Sequence, residues 1–157
     1  MGELEGSTNG TGLRVAIVAA RWNSFVTEKL LDGARETLKA KGVADGECHV
    51  IRVPGSFEIP AAAQWAASSG RVDAVICLGA VIRGETAHFE YVAGAAQQGI
   101  LSATAQTGVP VVFGVLTVDT IEQALERTGG KDGHKGEEAA LTAIEMANLR
   151  KVLGEHL

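Results

Sequence analysis

The segment "VDAVICLGAVI" (residues 72–82) decides the fold of this chain. It is almost entirely apolar and barely alternates, which is typical of a strand buried on both faces of a parallel sheet. The next segment, "RGETAHFEYV" (residues 83–92), changes abruptly to charges, a hydroxyl and a histidine. We therefore expect a central strand that ends in a polar turn.

Three further apolar runs, at residues 13–20, 48–53 and 110–118, predict strands of the same kind. Segments with helical spacing alternate with all four strands. The apolar stripe of the first predicted helix consists of Val26, Leu30, Ala34 and Leu38. Helices that alternate with strands that are apolar throughout predict an α/β fold, with helices on both faces of a parallel sheet.

Composition predicts the structure of the N-terminal segment, of one helix start and of one loop. Residues 1–12 are polar and glycine-rich, which predicts an arm too polar to pack on its own domain, followed by a single domain over residues 13–157. Pro60 is tolerated only in the first turn of a helix and so marks where the second helix begins. The segment "GGKDGHKG" (residues 129–136) predicts a glycine-rich loop, for which a plain surface role remains open.

Composition excludes several classes of function. The formal net charge is −5 and no basic patch stands out, so we expect no nucleic-acid partner. No apolar run is long enough to span a bilayer, and no segment has the pattern of a signal peptide, so we expect a cytoplasmic protein without a membrane partner. Cys48 and Cys77 lie in strand-like runs without metal-ligand spacing, which predicts buried free thiols.

Ligands of open parallel sheets bind at the carboxyl ends of the strands, so the loops there are the candidate sites. Trp22 follows the first strand and is equally consistent with a core residue and with a ring stacked on a planar ligand. After the second strand, Ser56 and Glu58 are consistent with helix capping or with binding a hydroxyl-rich ligand. The glycine spacing around Ser56 is not that of a nucleophile elbow, which argues against a serine hydrolase.

The turn after the third strand resembles a nucleotide P-loop but departs from it at one position. Residues 79–86 match G-x-x-x-x-G-K-[ST] except that Glu85 replaces the lysine, which argues against triphosphate hydrolysis. Residues 84–86 are nevertheless expected to open a helix, whose free N–H groups suit a single phosphate. A cation for that phosphate must come from elsewhere in the chain or from a partner.

His88 lies in the first turn of the same predicted helix. A helix N-terminus disfavours the imidazolium, so a neutral imidazole there suits a general base, although a solvated surface histidine remains the simpler alternative. The triplet "HFE" matches the H-x-E of zinc deaminases, but no P-C-x-x-C follows it, so we expect no metal.

Four motifs in register give the chain a close resemblance to the lumazine synthase family. They are "VPGSFEIP" (53–60), "LGAVIRGETAHFEYV" (78–92), "GVLTVDTIEQALER" (114–127) and "HKGEEAALTAIEMANL" (134–149). The resemblance implies a three-layer flavodoxin-like sandwich with a four-stranded parallel sheet, in which the N-terminal arm extends the sheet of a neighbouring subunit. It also implies a transferase of riboflavin biosynthesis that needs no metal and no cofactor.

The implied reaction joins 5-amino-6-(D-ribitylamino)uracil to L-3,4-dihydroxy-2-butanone 4-phosphate, giving 6,7-dimethyl-8-ribityllumazine, phosphate and water. By resemblance, His88 transfers protons, while Gly84, Glu85 and Thr86 bind the phosphate. The pyrimidine and ribityl chain would contact Trp22, Gly55, Ser56, Phe57, Glu58, Ala80, Val81 and Ile82. An adjacent subunit would contribute Phe113, Arg127 and Lys135.

The resemblance further implies a homo-oligomer, either a pentamer or a sixty-subunit icosahedral capsid of twelve pentamers. The segment at residues 128–136 carries no insertion of the kind that blocks capsid packing in this family. Riboflavin binding and association with riboflavin synthase are further expectations. Many family members have phenylalanine in place of Trp22 and asparagine in place of His134. Two alternatives remain open, namely a non-catalytic flavin- or pterin-binding module and a shell-forming protein of the same fold.

Overall fold

The computed structural model describes residues 1–157 and contains a four-stranded parallel sheet. Its strands are β1 (Val15–Ala20), β2 (Cys48–Val53), β3 (Ala74–Ile82) and β4 (Val111–Val118). They lie in the order β2-β1-β3-β4, so the chain reverses its direction of progress across the sheet between β1 and β3. In open α/β sheets the crevice at such a reversal, beyond the carboxyl ends of the strands, is the usual ligand site.

Helices cover both faces of this sheet. Helices α1 (Ser24–Ala40) and α5 (Lys135–His156) contribute to one apolar cluster, and α2 (Ile59–Ala67) and α3 (His88–Thr107) contribute to the other. The short helix α4 (Ile121–Glu126) follows β4. The fold is therefore a three-layer flavodoxin-like sandwich, which confirms the predicted fold class. None of the helices combines the length and the apolar character that a membrane span requires.

The local signals that predicted these elements are confirmed in detail. All four members of the predicted α1 stripe are buried. Pro60 lies in the first turn of α2, after a 3₁₀ turn at Ser56–Glu58. Gly42, just beyond α1, has φ +100°, a conformation that favours glycine. Strand boundaries agree with the prediction to within two residues.

Strand β2 differs from the prediction that every strand is apolar throughout. It lies at the edge of the sheet, and His49, Val50 and Arg52 are exposed. The guanidinium of Arg52 forms an ion pair with Glu28 of α1. Edge strands are open to solvent along one side and commonly carry charged side chains, so Arg52 is tolerated here.

Two other predicted segments take a different form. The helix after β3 begins at His88, so residues 84–86 form a bend before it and do not open it. The glycine-rich segment predicted as a loop contains a small antiparallel hairpin, with strands β5 (Thr128–Gly130) and β6 (Gly133–His134). Gly129 and Gly133 both have positive φ, which explains why glycines suit this turn.

The N-terminal arm packs on its own domain, so the prediction that it is too polar to do so is wrong. The Asn148 side-chain amide of α5 donates hydrogen bonds to the carbonyls of Ser7 and Asn9, each at 2.9 Å. Gly6 is buried so closely against α5 that a Cβ there would lie 2.0 Å from the Glu145 carbonyl oxygen. These hydrogen bonds and the close approach of Gly6 to α5 hold the arm against its own domain without apolar side chains.

Both cysteines are free, as predicted, but their burial differs. Cys77 is buried in β3, while Cys48 at the start of the edge strand is only half-buried. Burial raises the pKa of each thiol, because the thiolate is poorly solvated there. Both cysteines are therefore expected to be weak nucleophiles.

Candidate active site

Trp22 lies at the carboxyl end of β1, where main-chain hydrogen bonds fix its position. Its N–H donates to the Pro54 carbonyl at 3.0 Å, so the turn after β1 is attached to the turn after β2. The indole lies over Gly55, and a Cβ at position 55 would be 2.4 Å from the indole Cε3. The ring is 64% exposed, which decides between the two earlier interpretations: it is not a core residue.

The turn at Ser56–Glu58 forms the next wall of the site. The Glu58 carboxylate accepts a hydrogen bond from the Gly55 N–H at 3.1 Å through Oε2, so the capping interpretation holds for that oxygen. Its Oε1 makes no hydrogen bond within the chain and is free to accept one from a ligand. Ser56 is buried against β3, where a Cβ at Gly79 would lie 2.5 Å from the Ser56 hydroxyl oxygen.

These walls and the end of β3 enclose a cleft of about 460 Å³, here called the Trp22 cleft. It is lined by Trp22, Asn23, Ser56, Phe57, Glu58, Ala80, Val81, Ile82, His88 and Val92. The lining is largely apolar, with a hydroxyl, a carboxylate, an amide and an imidazole among its polar groups. A planar ring with a polar chain is the kind of ligand that suits such a surface.

His88 is the first residue of α3 and is exposed to solvent at one side of the Trp22 cleft. Its main-chain N–H donates weakly to the Thr86 hydroxyl at 3.4 Å. The side chain makes no hydrogen bond within the chain. It is thus available to a bound molecule.

The bend at Gly84, Glu85 and Thr86 is exposed and carries no cation of its own. The preceding residue, Arg83, is already engaged. Its Nε donates to Asp119 at 2.8 Å and its Nη1 to Glu90, and its guanidinium lies 4.4 Å from the centre of the Phe89 ring.

Sequence reasoning missed this role of Arg83, which links the bend to the end of β4. Hydrogen bonding to Arg83 holds the pKa of Glu90 below its usual value. A signal existed in the sequence, because an arginine immediately before the bend was the nearest candidate cation. Its actual partner, Asp119, lies far away along the chain and could not be assigned from sequence.

Phe113, Arg127 and Lys135 come together in a different cleft of about 310 Å³, here called the Arg127 cleft. The Arg127 guanidinium donates to the Gln123 carbonyl at 2.9 Å and lies 3.4 Å from the Asp132 carboxylate. Phe113 and Arg127 also line a cleft of about 560 Å³ beside Arg83. None of the residues that line these two clefts lines the Trp22 cleft.

His134 occupies the N-cap of α5. Its Nδ1 accepts hydrogen bonds from the N–H groups of Gly136 at 3.1 Å and Glu137 at 3.3 Å. The ring packs on Gly33, where a Cβ would lie 2.1 Å from the imidazole Cε1. An asparagine oxygen can cap a helix in the same way, so histidine here preserves the local structure.

Asn23 and Val92 also line the Trp22 cleft, and sequence reasoning did not select either of them. Val92 was expected only as part of the apolar face of α3. For Asn23 a signal was present, because asparagine in the turn after a strand tolerates the left-handed conformation better than most residues do. The observed φ of 62° is of that kind.

Comparison with known families adds to this geometry. The family model described as 6,7-dimethyl-8-ribityllumazine synthase matches residues 12–151. The chain belongs to the 6,7-dimethyl-8-ribityllumazine synthase family. The match covers both the Trp22 cleft and the Arg127 cleft and confirms the resemblance drawn from the four motifs. Membership in the lumazine synthase family implies an enzyme of riboflavin biosynthesis with transferase activity.

Proposed function

We propose that this chain condenses 5-amino-6-(D-ribitylamino)uracil with L-3,4-dihydroxy-2-butanone 4-phosphate to form 6,7-dimethyl-8-ribityllumazine. The observation that supports this most is the composition of the Trp22 cleft. An exposed indole, a free carboxylate oxygen and a histidine lie around one apolar surface at the reversal point of the sheet. These are the groups that a flat pyrimidine with a polyhydroxyl chain requires.

The pyrimidine would stack on Trp22 beside the end of β3. Ala80, Val81 and Ile82 line the same cleft, so the ring would contact both the aromatic face and the end of this strand. Base-sized rings stacked on aromatic side chains gain about 1–3 kcal/mol. The hydroxyls of the ribityl chain would reach the turn made by Gly55, Ser56, Phe57 and Glu58, where Glu58 Oε1 is an unused acceptor.

The phosphate of the second substrate would bind at Gly84, Glu85 and Thr86, close to the N-terminus of α3. Free N–H groups at a helix start favour an anion, but Glu85 is itself negative, so a cation is needed. Arg83 cannot readily supply it, because two carboxylates already hold its guanidinium. Arg127 suits the role better, since only one carboxylate, at 3.4 Å, and one carbonyl contact its guanidinium, and a guanidinium can engage two phosphate oxygens at once.

Arg127 and the Trp22 cleft lie in separate places on one chain, which supports a site formed between two subunits. We propose that Phe113, Arg127 and Lys135 of an adjacent chain close over the Trp22 cleft. The assembly we propose is a pentamer in the cytoplasm. The hairpin of β5 and β6 is short, which is compatible with a sixty-subunit capsid of twelve pentamers. Association with riboflavin synthase is a further part of this proposal.

The chemistry requires proton transfers more than a strong nucleophile. The 5-amino group attacks the ketone, and loss of water gives an imine. Phosphate then leaves, and the resulting enol tautomerises to a carbonyl. The ribitylamino nitrogen attacks this carbonyl, and loss of a second water closes the ring. His88, at the start of α3, would take up and return the protons. The Trp22 cleft and the Arg127 cleft of the adjacent chain would hold the two substrates together.

The test is to incubate the protein with both substrates and to follow lumazine absorbance and phosphate release, against a protein-free control.

His88→Ala should lower turnover by roughly 10–10³-fold, since one acid–base residue is typically worth a factor of 10²–10⁴ in rate. His156→Ala, at the C-terminal end of α5 in the opposite helical layer, is the matched control. Full activity of His88→Ala across neutral pH would contradict the role of His88. Binding without turnover in the wild type would favour the flavin- or pterin-binding module, and shells without turnover would favour the structural protein.

A further inference from the structure

Asn23 has a backbone conformation found at no other residue of this chain except glycines. Its φ and ψ are 62° and 45°, in the left-handed region. Most side chains are strained there, and asparagine is among the few that tolerate it. Asn23 lies between Trp22 and α1, and its carbonyl accepts hydrogen bonds from the N–H groups of Val26 and Thr27.

The side chain of Asn23 is used in an unusual way for a residue at a helix start. An asparagine at the N-cap normally accepts a hydrogen bond from the first turn of the helix, but Asn23 makes no such bond. Its Nδ2 instead donates to the Ala80 carbonyl of β3 at 2.8 Å. The β1–β3 pairing ends at Ala19 and Leu78, so this hydrogen bond connects the turn after β1 to β3 beyond the end of their ladder.

Both features act on the walls of the Trp22 cleft. The left-handed backbone sets the direction in which the chain leaves Trp22, and the hydrogen bond fixes the end of β3 relative to that turn. We propose that Asn23 is a positioning residue that sets the separation between the Trp22 ring and the Ala80–Ile82 edge. It thereby adjusts the cleft to the thickness and width of the pyrimidine ring. The inference rests on the proposed function and adds to it the residue that fixes this spacing.

Two substitutions separate the backbone from the side chain. Asn23→Gly permits the left-handed conformation but removes the donor, while Asn23→Ala removes the donor and disfavours the conformation as well. We expect Asn23→Gly to raise the KM for the pyrimidine by roughly fivefold to tenfold, the effect of one lost hydrogen bond. The KM for the butanone phosphate and the kcat should stay within about twofold. Asn23→Ala should raise the pyrimidine KM further.

A second measurement does not depend on catalysis. In a Trp65→Phe background, Trp22 is the only tryptophan of the chain, so its fluorescence anisotropy reports how firmly its ring is held. Asn23→Gly should lower this anisotropy. The control is Ser69→Ala, which removes hydrogen bonds from a turn that precedes β3, away from the cleft, and should change neither quantity.

The outcomes separate the alternatives. An unchanged pyrimidine KM in Asn23→Gly overturns the proposal, whatever the anisotropy. A raised KM with unchanged anisotropy also overturns it, because Asn23 would then be a direct ligand. If the wild-type protein makes no lumazine, the proposed function fails, and the anisotropy alone decides whether Asn23 positions Trp22.

Discussion

The Trp22 indole occupies the space that a side chain at position 55 would need. A Cβ at Gly55 would lie 2.4 Å from Cε3 and 2.7 Å from Cζ3 of the ring. Atoms cannot approach so closely, so the absence of a side chain at position 55 is what allows the indole to lie on the turn after β2. The placement of the proposed stacking platform therefore depends on a glycine in a different loop.

The first prediction follows from this contact. Gly55→Ala should displace the Trp22 ring and lower kcat/KM by about tenfold to a hundredfold, because misplacement of a binding group by about an ångström is costly. Gly46→Ala, where a Cβ would meet nothing within 4 Å, is the matched control. Steady-state kinetics with both substrates measure the effect. Wild-type kinetics in Gly55→Ala would mean that the ring position is irrelevant to turnover.

The second prediction concerns riboflavin, which shares the ribityl chain and pyrimidine edge with the proposed product. Riboflavin should compete with the pyrimidine substrate and quench the fluorescence of Trp22, measured in the Trp65→Phe background. Trp22→Phe should weaken riboflavin binding by about threefold to tenfold while turnover remains largely intact, since a smaller ring still stacks. Equal riboflavin affinity of the two proteins would rule out Trp22 as the platform.

The third prediction tests whether each site is divided between chains. Arg127→Ala should raise the KM of the phosphorylated substrate far more than that of the pyrimidine. Assemblies mixed from Arg127→Ala and His88→Ala chains should recover activity, because some sites then contain neither substitution. Each variant unfolded and refolded alone is the control. A lack of recovery in assemblies verified to contain both chains would place the site within one subunit.

The fourth prediction concerns the arm and the open edge of β2. We propose that residues 1–12 leave their contacts with α5 in the assembly and extend the sheet of a neighbour, as in strand addition, so deleting them should reduce assembly more than it lowers the Tm. Light scattering and thermal unfolding measure the two effects. Asn148→Ala keeps the arm but removes its hydrogen bonds to Ser7 and Asn9. Normal assembly of the truncated chain would show that the arm serves only its own domain.

The fifth prediction concerns acid stability. Burial alone would raise the pKa of Asp73, but hydrogen bonds and charge attraction from Arg14 outweigh it, so the pKa is lowered. A lowered folded-state pKa stabilises the fold fully above the ordinary aspartate pKa of about 3.9, and this stabilisation is lost as pH falls further. The free energy of unfolding of Asp73→Asn should therefore depend less on pH below about 4 than that of the wild type does. The free energy of unfolding is measured by urea titration at several pH values. If it fell below pH 4 as steeply in Asp73→Asn as in the wild type, this pair would be excluded as a source of acid sensitivity.

The sequence predicted best those features that depend on neighbours along the chain. The stripe of α1 and the start of α2 at Pro60 follow from helix periodicity and from the geometry of proline. The exposed face of β2 did not follow, because an edge position is a property of strand order and not of a local pattern. The pairing of Arg83 with Asp119 escaped for a related reason, since it joins the ends of two strands.

The candidate site was predictable to the extent that its residues follow strands. Trp22 and Ser56 were selected because each follows a strand end, and the structure brings them into one cleft. Asn23 was overlooked because its hydrogen bond to the Ala80 carbonyl joins positions far apart in the chain and leaves no local sequence pattern. The hairpin at residues 128–134 was taken for a loop because its strands are too short and too rich in glycine to show alternation.

The separation of the Trp22 cleft from the Arg127 cleft has a geometric consequence. If each chain completes the site of the next, an open row of chains always has one end with an incomplete site and one end with an unused guanidinium. Adding chains to the row does not remove these two ends, and only closure of the row into a ring does. A divided site therefore favours a cyclic assembly, whatever the number of chains in the ring. Ring closure brings the first and last chains together and completes one site that a linear row of the same chains lacks.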